Sequence, residues 1–209
     1  MQDPELQKAT ASEPLTLSEE HAMQTSWRED ADKLTFIACT APPATLPSPS
    51  TIESQTHDTP STMIGDVNLF LTPDDEDEDE DGEESEKEHA DKTAALIGEI
   101  EIMIAAPSHQ NRGLGHCILL TFLWYITSCV QQITDQYSGS QRTSLKYLRV
   151  KIDKDNVRSV KLFEKAGFEK VSGEANYFGE VELRWAVDRE SIREVEGRME
   201  SVPVVVGYR

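Results

Sequence analysis

Gly98-Glu-Ile-Glu-Ile-Met-Ile-Ala105, then Gln110-Asn-Arg-Gly113-Leu-Gly115, then an apolar run from Gly113 to Gln132, is the stretch on which the fold turns. Ile97 to Ala105 is apolar and alternating, which predicts a strand. The run after the glycines predicts one long buried helix. A loop feeding a helix N-terminus presents N–H groups without carbonyl partners, at the positive end of the helix dipole. Glycines at 113 and 115 let an anion approach the backbone with no Cβ in the way. Arg112 adds charge, and the combination suits a pyrophosphate. No Lys-Ser/Thr pair follows the second glycine, so this is not the nucleotide-triphosphate loop, nor is it the dinucleotide fingerprint GxGxxG. Taken alone, a Gly-x-Gly opening a helix fits a tight turn equally well.

Working outward, Met63 to Thr72 alternates Val67, Leu69 and Leu71 with Asp66, Asn68 and Phe70, a second strand. Thr72 and Ile97 bracket an acidic run, so the two strands predict a long hairpin. Upstream, residues 16–31 predict a helix, with Thr16 or Ser18 as cap and Glu19 and Glu20 in its first turn. Leu34 to Cys39 predicts a strand. Residues 40–61 hold five prolines among Ser and Thr and predict a disordered linker. Downstream, a polar stretch from Thr134 to Ser144 leads to a strand at Tyr147 to Ile152. Asn156 to Ala166 predicts a short helix closed by Gly167. Phe168 to Val171 and Phe178 to Trp185 predict a closing pair of strands, and 188–200 a charged helix. Val202 to Val206 has no predicted place. The order is that of an α/β fold (an α+β mixed sheet).

The chain has 209 residues and a net charge of −19. Residues 74–91 carry thirteen acids against one lysine, leaving −7 for the rest, so the acidity belongs to one insert. Such a block predicts a solvated loop. Nucleic acid is not an expected partner, because its backbone demands clustered Lys and Arg. Cys39, Cys117 and Cys129 form no CxxC pattern and predict a reducing compartment. The N-terminus lacks the basic and apolar regions of a signal peptide. Cys117 to Val130 is too short to span a bilayer. The expectation is an intracellular, cytoplasmic protein with no membrane partner.

Asn156-Val-Arg-Ser159-Val-Lys-Leu-Phe163-Glu-Lys-Ala-Gly167-Phe168 follows a strand downstream of the glycine loop. The two segments together resemble the GNAT acetyltransferase superfamily, whose first motif is Gln/Arg-x-x-Gly-x-Gly/Ala and whose second runs from Asn through a helix to Gly-Phe. Thr10 to Leu17, Ser26 to Lys33, Ile64 to Thr72 and Gly98 to Ala105 further resemble the N-acetyltransferase 9-like group. The resemblance implies an acetyltransferase fold with a splayed central sheet. It assigns a single domain to residues 1–187, with inserts at 40–61 and 73–93 and a C-terminal extension at 188–209. Members of that group have a further N-terminal stretch with a strand and a helix, so Leu34 to Cys39 is expected at a sheet edge.

The resemblance also implies a mechanism. Acetyl-CoA is the expected acetyl donor and a protein or peptide amine the acceptor, with direct transfer and no metal. Gln110, Asn111, Arg112, Gly113, Leu114 and Gly115 would hold the pyrophosphate. Ile102, Met103 and Ile104 would pair with the pantetheine arm, an N–H of Met103 or Ile104 polarising the thioester carbonyl. Asn156, Ser159 and Phe163 would line the same cofactor site, Asn156 also suiting a helix cap. Glu99 and Glu101 alternate with the isoleucines and point to the opposite face. They are the base candidates, Glu99 first, a plain solvated strand face being the other reading. Asn68 fits a structural hydrogen bond or a substrate contact. Many superfamily members have Tyr where Phe163 stands, and Phe donates no proton to a departing thiolate. That departure and the short N-terminus favour an alternative, an inactive acetyl-CoA-binding or interaction module whose acidic insert would bind a basic partner. His109 and His116 lack ligand partners, and Cys117 and Cys129 suit the core.

Overall fold

The computed structural model describes residues 7, 13–41, 51–74, 94–139 and 143–209. The acidic run from 75 to 91 and residues 42–50 of the Pro/Ser/Thr stretch lie outside the described residues. Helix α1 (Leu17–Glu29) starts at a capping box: Thr16 accepts from the Glu19 N–H while the Glu19 carboxylate accepts from the Thr16 N–H. Then come β1 (Lys33–Cys39), β2 (Thr51–Ile52), β3 (Met63–Pro73) and β4 (Ala94–Met103). A 3₁₀ turn at Pro107–His109 leads to α2 (Leu114–Ser128) and α3 (Val130–Ser138). The rest is β5 (Thr143–Asp153), α4 (Val157–Ala166), β6 (Glu169–Lys170), β7 (Glu180–Ala186), α5 (Arg189–Arg198) and β8 (Gly207–Tyr208).

Six strands form one mixed sheet in the order β1-β3-β4-β5-β7-β6, parallel only between β4 and β5. Thr72 lies opposite Ile97, so the expected hairpin arms are in place. β1 is an outer strand, as expected of Leu34 to Cys39. One sheet face is apolar. Leu69, Ile100, Leu148 and Leu183 bury there against Leu119, Leu123 and Ile126 of α2 and Val160, Phe163 and Ala166 of α4. Phe36 of β1 joins this face, its ring against Phe122 and Tyr125.

Three expectations change. The long helix is two helices, bent by 68° at Cys129, whose φ of −116° and ψ of 13° leave the helical region. The Thr127 hydroxyl donates to the carbonyls of Leu123 and Trp124 just before the break, a side-chain competition that bends helices. The break turns Ile133 and Thr134 into the core, so the helix runs on to Ser138 where a polar loop was expected. The second half of the 40–61 stretch is held: β2 pairs in parallel with β8, and the Tyr208 hydroxyl donates to Asp58 at 2.6 Å. The partner lies at the far end of the chain, invisible to a local reading. Finally, α5 is built into the core through Val195, 2% exposed, so residues 188–198 are not an appendage.

Gly65 marks the tightest approach of β3 to β4: a Cβ there would stand 1.9 Å from the Met103 carbonyl oxygen. Replacing Gly65 by alanine forces backbone apart, and urea unfolding is expected to show a loss of about 1–3 kcal/mol.

Candidate functional site

β4 runs in parallel beside β5 only from Ala94 opposite Thr143 to Glu99 opposite Arg149. Beyond that point β4 pairs with β3 alone, from Ile100 opposite Leu69 to Met103 opposite Asp66. β5 meanwhile continues on β7, from Val150 opposite Leu183 to Asp153 opposite Glu180. The central strands therefore part, and among the described residues no strand lies beside the side of β4 turned away from β3 from Ile100 onward. At the end of β4 the Ala106 N–H donates to the Ile64 carbonyl at 3.0 Å, one residue out of the β3–β4 register. The register thus slips by one residue after Met103, a bulge over Ile104 and Ala105, next to the backbone that the sequence assigned to the acetyl-bearing arm.

The loop after the bulge is tied back to it: Gln110 Nε2 donates to the Ile104 carbonyl at 2.9 Å. Asn111 has a positive φ of 59° and Gly113 one of 80°. Gly113 caps α2 with no side-chain hydrogen bond; the His116 and Cys117 N–H groups donate to the Gly113 carbonyl, which leaves those of Leu114 and Gly115 without a capping side chain. A Cβ on Gly113 would meet nothing within 4 Å, so backbone conformation, not crowding, demands glycine, and the approach to the helix end stays open. Gly115 is different: a Cβ there would touch Leu162 at 3.4 Å, which sets α2 close against α4. Arg112 is exposed in this loop, between the strand end and the start of α2.

α4 packs beside α2. Asn156 Oδ1 accepts from the Ser159 N–H at 3.1 Å, which makes Asn156 the helix cap. Gly167 closes the helix at φ 103°. Phe163 is 2% exposed and packs edge-on against Phe168 at 5.0 Å between ring centres. It belongs to the core behind the groove, so an aromatic ring there is accounted for by packing.

The second sheet face is polar, and cross-strand register gathers its residues. Phe70, Asn68 and Asp66 of β3 stand opposite Glu99, Glu101 and Met103 of β4. Glu99 accepts from Arg149 Nε at 2.8 Å and lies 3.8 Å from Lys151 Nζ. Among the described residues, Glu101 has no such partner. Protein packed against one side desolvates its carboxyl, and the charges of Glu99 and Asp66 add to the effect, together raising it above the usual glutamate range. Burial likewise raises the Asp66 carboxyl, while a hydrogen bond from Asn68 at 2.8 Å opposes the rise. Asp66, Arg149 and Lys151 were not singled out in the sequence. Alternation along β3 could have flagged Asp66; pairing of Arg149 with Glu99 depends on a parallel register that local pattern does not carry. Among the described residues, no group of three or more His, Cys, Asp or Glu side chains could hold a metal ion. No single described helix is long and apolar enough to cross a membrane.

The chain is similar to known proteins. A family model described as an acetyltransferase (GNAT) domain matches residues 1–169. The N-acetyltransferase 9-like protein of Schizosaccharomyces pombe is 40% identical over 194 residues, covering 88% of this chain and 83% of that protein. Human alpha/beta-tubulin-N-acetyltransferase 9 is 40% identical over 187 residues, covering 90% and 72%. Among solved structures, aminoglycoside acetyltransferase AAC(6')-Ib in complex with coenzyme A aligns with a TM-score of 0.51 at 14% identity, over 93% of this chain and 88% of that one. Spermidine N-acetyltransferase from Vibrio cholerae in complex with CoA and spermine aligns with a TM-score of 0.50 at 16% identity, over 86% and 80%. At such identities the likeness of the two structures is one of fold.

The raised Glu101 carboxyl has a consequence for stability. Folding favours its protonated form, so its contribution is fully present below the ordinary glutamate value and is lost as pH rises through the raised native value. Glu101→Gln should therefore unfold at higher urea than the natural protein at pH 7.5, with the difference vanishing near pH 4. Equal midpoints at both pH values would contradict a raised Glu101 carboxyl.

Proposed function

The chain belongs to the GNAT acetyltransferase family, and from that premise we propose that its groove takes acetyl-CoA and passes the acetyl group directly to a protein amine. The observation that carries this reading is the parting of β4 from β5 in front of the uncapped N-terminus of α2. Acetyl-CoA supplies the activated thioester; the residues supply everything else. The first-turn N–H groups of α2, with Asn111, Arg112 and Gly113, suit the pyrophosphate through hydrogen bonds and the helix dipole. Gln110 fixes the loop to the strand end and so sets its distance from Ile104. The unpaired side of β4 at Ile102 to Ile104 suits the amide-bearing arm, as one strand suits another. A backbone N–H at the bulge is the donor for the thioester oxygen, where negative charge develops. Asn156 and Ser159 shape the α4 wall, and Phe163 supports it from behind.

The amine must lose a proton before it attacks, and Glu101 is the group we assign to that task. The sequence ranked Glu99 first. In the structure, however, the Glu99 carboxylate is already engaged by Arg149 and Lys151. Among the described residues Glu101 makes no ion pair, and its carboxyl is raised above the usual glutamate range, which suits a general base. Glu99 then acts on Glu101 as a nearby negative charge. Relatives in human, mouse and Drosophila melanogaster bear the name alpha/beta-tubulin-N-acetyltransferase 9. We put a tubulin chain first as the acceptor, which would place the reaction in the cytoplasm.

Calorimetry with acetyl-CoA tests the groove: Gly113→Asp puts a side chain and a negative charge at the helix end and should abolish binding. Undiminished affinity in that variant would overturn the site. Glu101→Gln should keep acetyl-CoA affinity and lower kcat by about 10²–10⁴-fold, whereas Glu99→Gln should cost far less. The reverse order would return the base to Glu99.

A further inference from the structure

α4 turns basic residues towards α2. A Cβ on Gly115 would touch Leu162 at 3.4 Å, so the face of α4 that holds Leu162 lies on the first turn of α2. Arg158 and Lys165 stand four residues before Leu162 and three after it, on that same face. α5 adds a third cation from its last residue, Arg198. Gly167 has no side chain, and the Arg198 guanidinium takes the space: a Cβ on Gly167 would stand 2.5 Å from Nη1. Among the described residues, neither Arg158 nor Lys165 has a carboxylate partner. His116, in the first turn of α2, is held below the ordinary histidine range, first by burial and then by the charges of Lys165 and Arg198. Both cations therefore act on the start of α2.

We propose that Lys165 and Arg198 form the seat of a phosphomonoester, the 3′-phosphate on the ribose of coenzyme A. This rests on the acetyl-transfer reading above. Acetyl-CoA carries three phosphates: two are joined as the pyrophosphate, and the third is a monoester that is close to doubly charged near neutral pH. The open start of α2 suits the pyrophosphate. Lys165 lies seven residues beyond Arg158, about 10 Å along α4, so the two ends of the basic face suit separate anionic groups. Arg158 is left to the pyrophosphate side. Lys165 offers a point charge, and Arg198 a planar fork that matches phosphate oxygens. The family model matches residues 1–169, so α5 brings this contact from outside the matched segment.

The acids beside these cations leave the seat its positive charge. Glu164, next to Lys165 in the chain, is turned to Lys170 at 3.1 Å. Glu194 accepts from Arg198 Nη2 at 2.9 Å, which engages one nitrogen of a group with five N–H donors. Outside the acidic run the chain carries a net charge of −7, so neighbouring cations from two helices are not its average surface. Like charges held together repel, and an anion bound between them removes that repulsion.

Calorimetry on the full chain tests the seat by comparing CoA with 3′-dephospho-CoA, which lacks only the monoester. The natural protein should bind CoA about tenfold or more tighter, the margin expected of hydrogen bonds to a charged group. Added salt should narrow that margin. Lys165→Met and Arg198→Met should each lose much of it and still bind 3′-dephospho-CoA as the natural protein does, while Lys165→Arg should keep it. A natural protein that binds the two ligands equally would overturn the seat, as would a margin that survives both methionine substitutions. Should Arg198→Met fail to fold, Lys165→Met, at an exposed position, decides together with the natural protein. Binding of neither ligand would overturn the acetyl-transfer reading and the seat together, whereas tight but equal binding of both removes the seat alone.

Discussion

β4 has two strand neighbours up to Glu99 and one thereafter. Everything in the groove depends on that change. A strand inside a sheet has no free backbone to offer a ligand, whereas a strand that loses a neighbour presents a row of donors and acceptors. The structure holds the parting open from both sides. β5 is kept on β7 by a continuous antiparallel ladder, and β4 is kept on β3 up to the bulge that Gly65 admits. The same parting lets the loop from Pro107 to Gly113 deliver the end of α2 to the gap. Helix end and strand edge are thereby joined through the Gln110–Ile104 hydrogen bond.

The polar face shows how one strand can carry two carboxylates with separate tasks. Glu99 and Glu101 are two residues apart and share a face, yet their surroundings differ. β5 still flanks β4 at Glu99, so Arg149 reaches its carboxylate. At Glu101 the neighbour has gone, and with it the cation. Desolvation and the two nearby negative charges then raise the Glu101 carboxyl. The geometry that parts β4 from β5 is thus the geometry that separates the surroundings of Glu101 from those of Glu99. The cost is a pair of carboxyls whose ionisation opposes folding, a trade of stability for activity common at active sites.

Much of this was legible in the sequence because it is local. The alternation in Met63 to Thr72 and Ile97 to Ala105 announced the hairpin, Gly113 announced the helix start, and Asn156 with Gly167 announced both ends of α4. What escaped was non-local. The β2–β8 pairing joins residues from opposite ends of the chain, and no local pattern marks it. The break at Cys129 depends on where Ile133 and Thr134 must bury, and that is set by tertiary packing. Glu99 and Glu101 share one face, as the alternation implied, but the Arg149 contact that sets Glu99 apart exists only once β4 and β5 are paired. Phe163 carried weight as a missing proton donor; its burial against Phe168 makes it part of the core.

The central claim is that one ligand bridges the unpaired side of β4 and the open end of α2. Hydrogen–deuterium exchange on addition of acetyl-CoA measures both at once. The account predicts joint slowing at the amides of Ile102 to Ile104 and of Asn111 to Gly115, with β6 and β7 unaffected. Slowing confined to other elements, or at only one of the two segments, would contradict it.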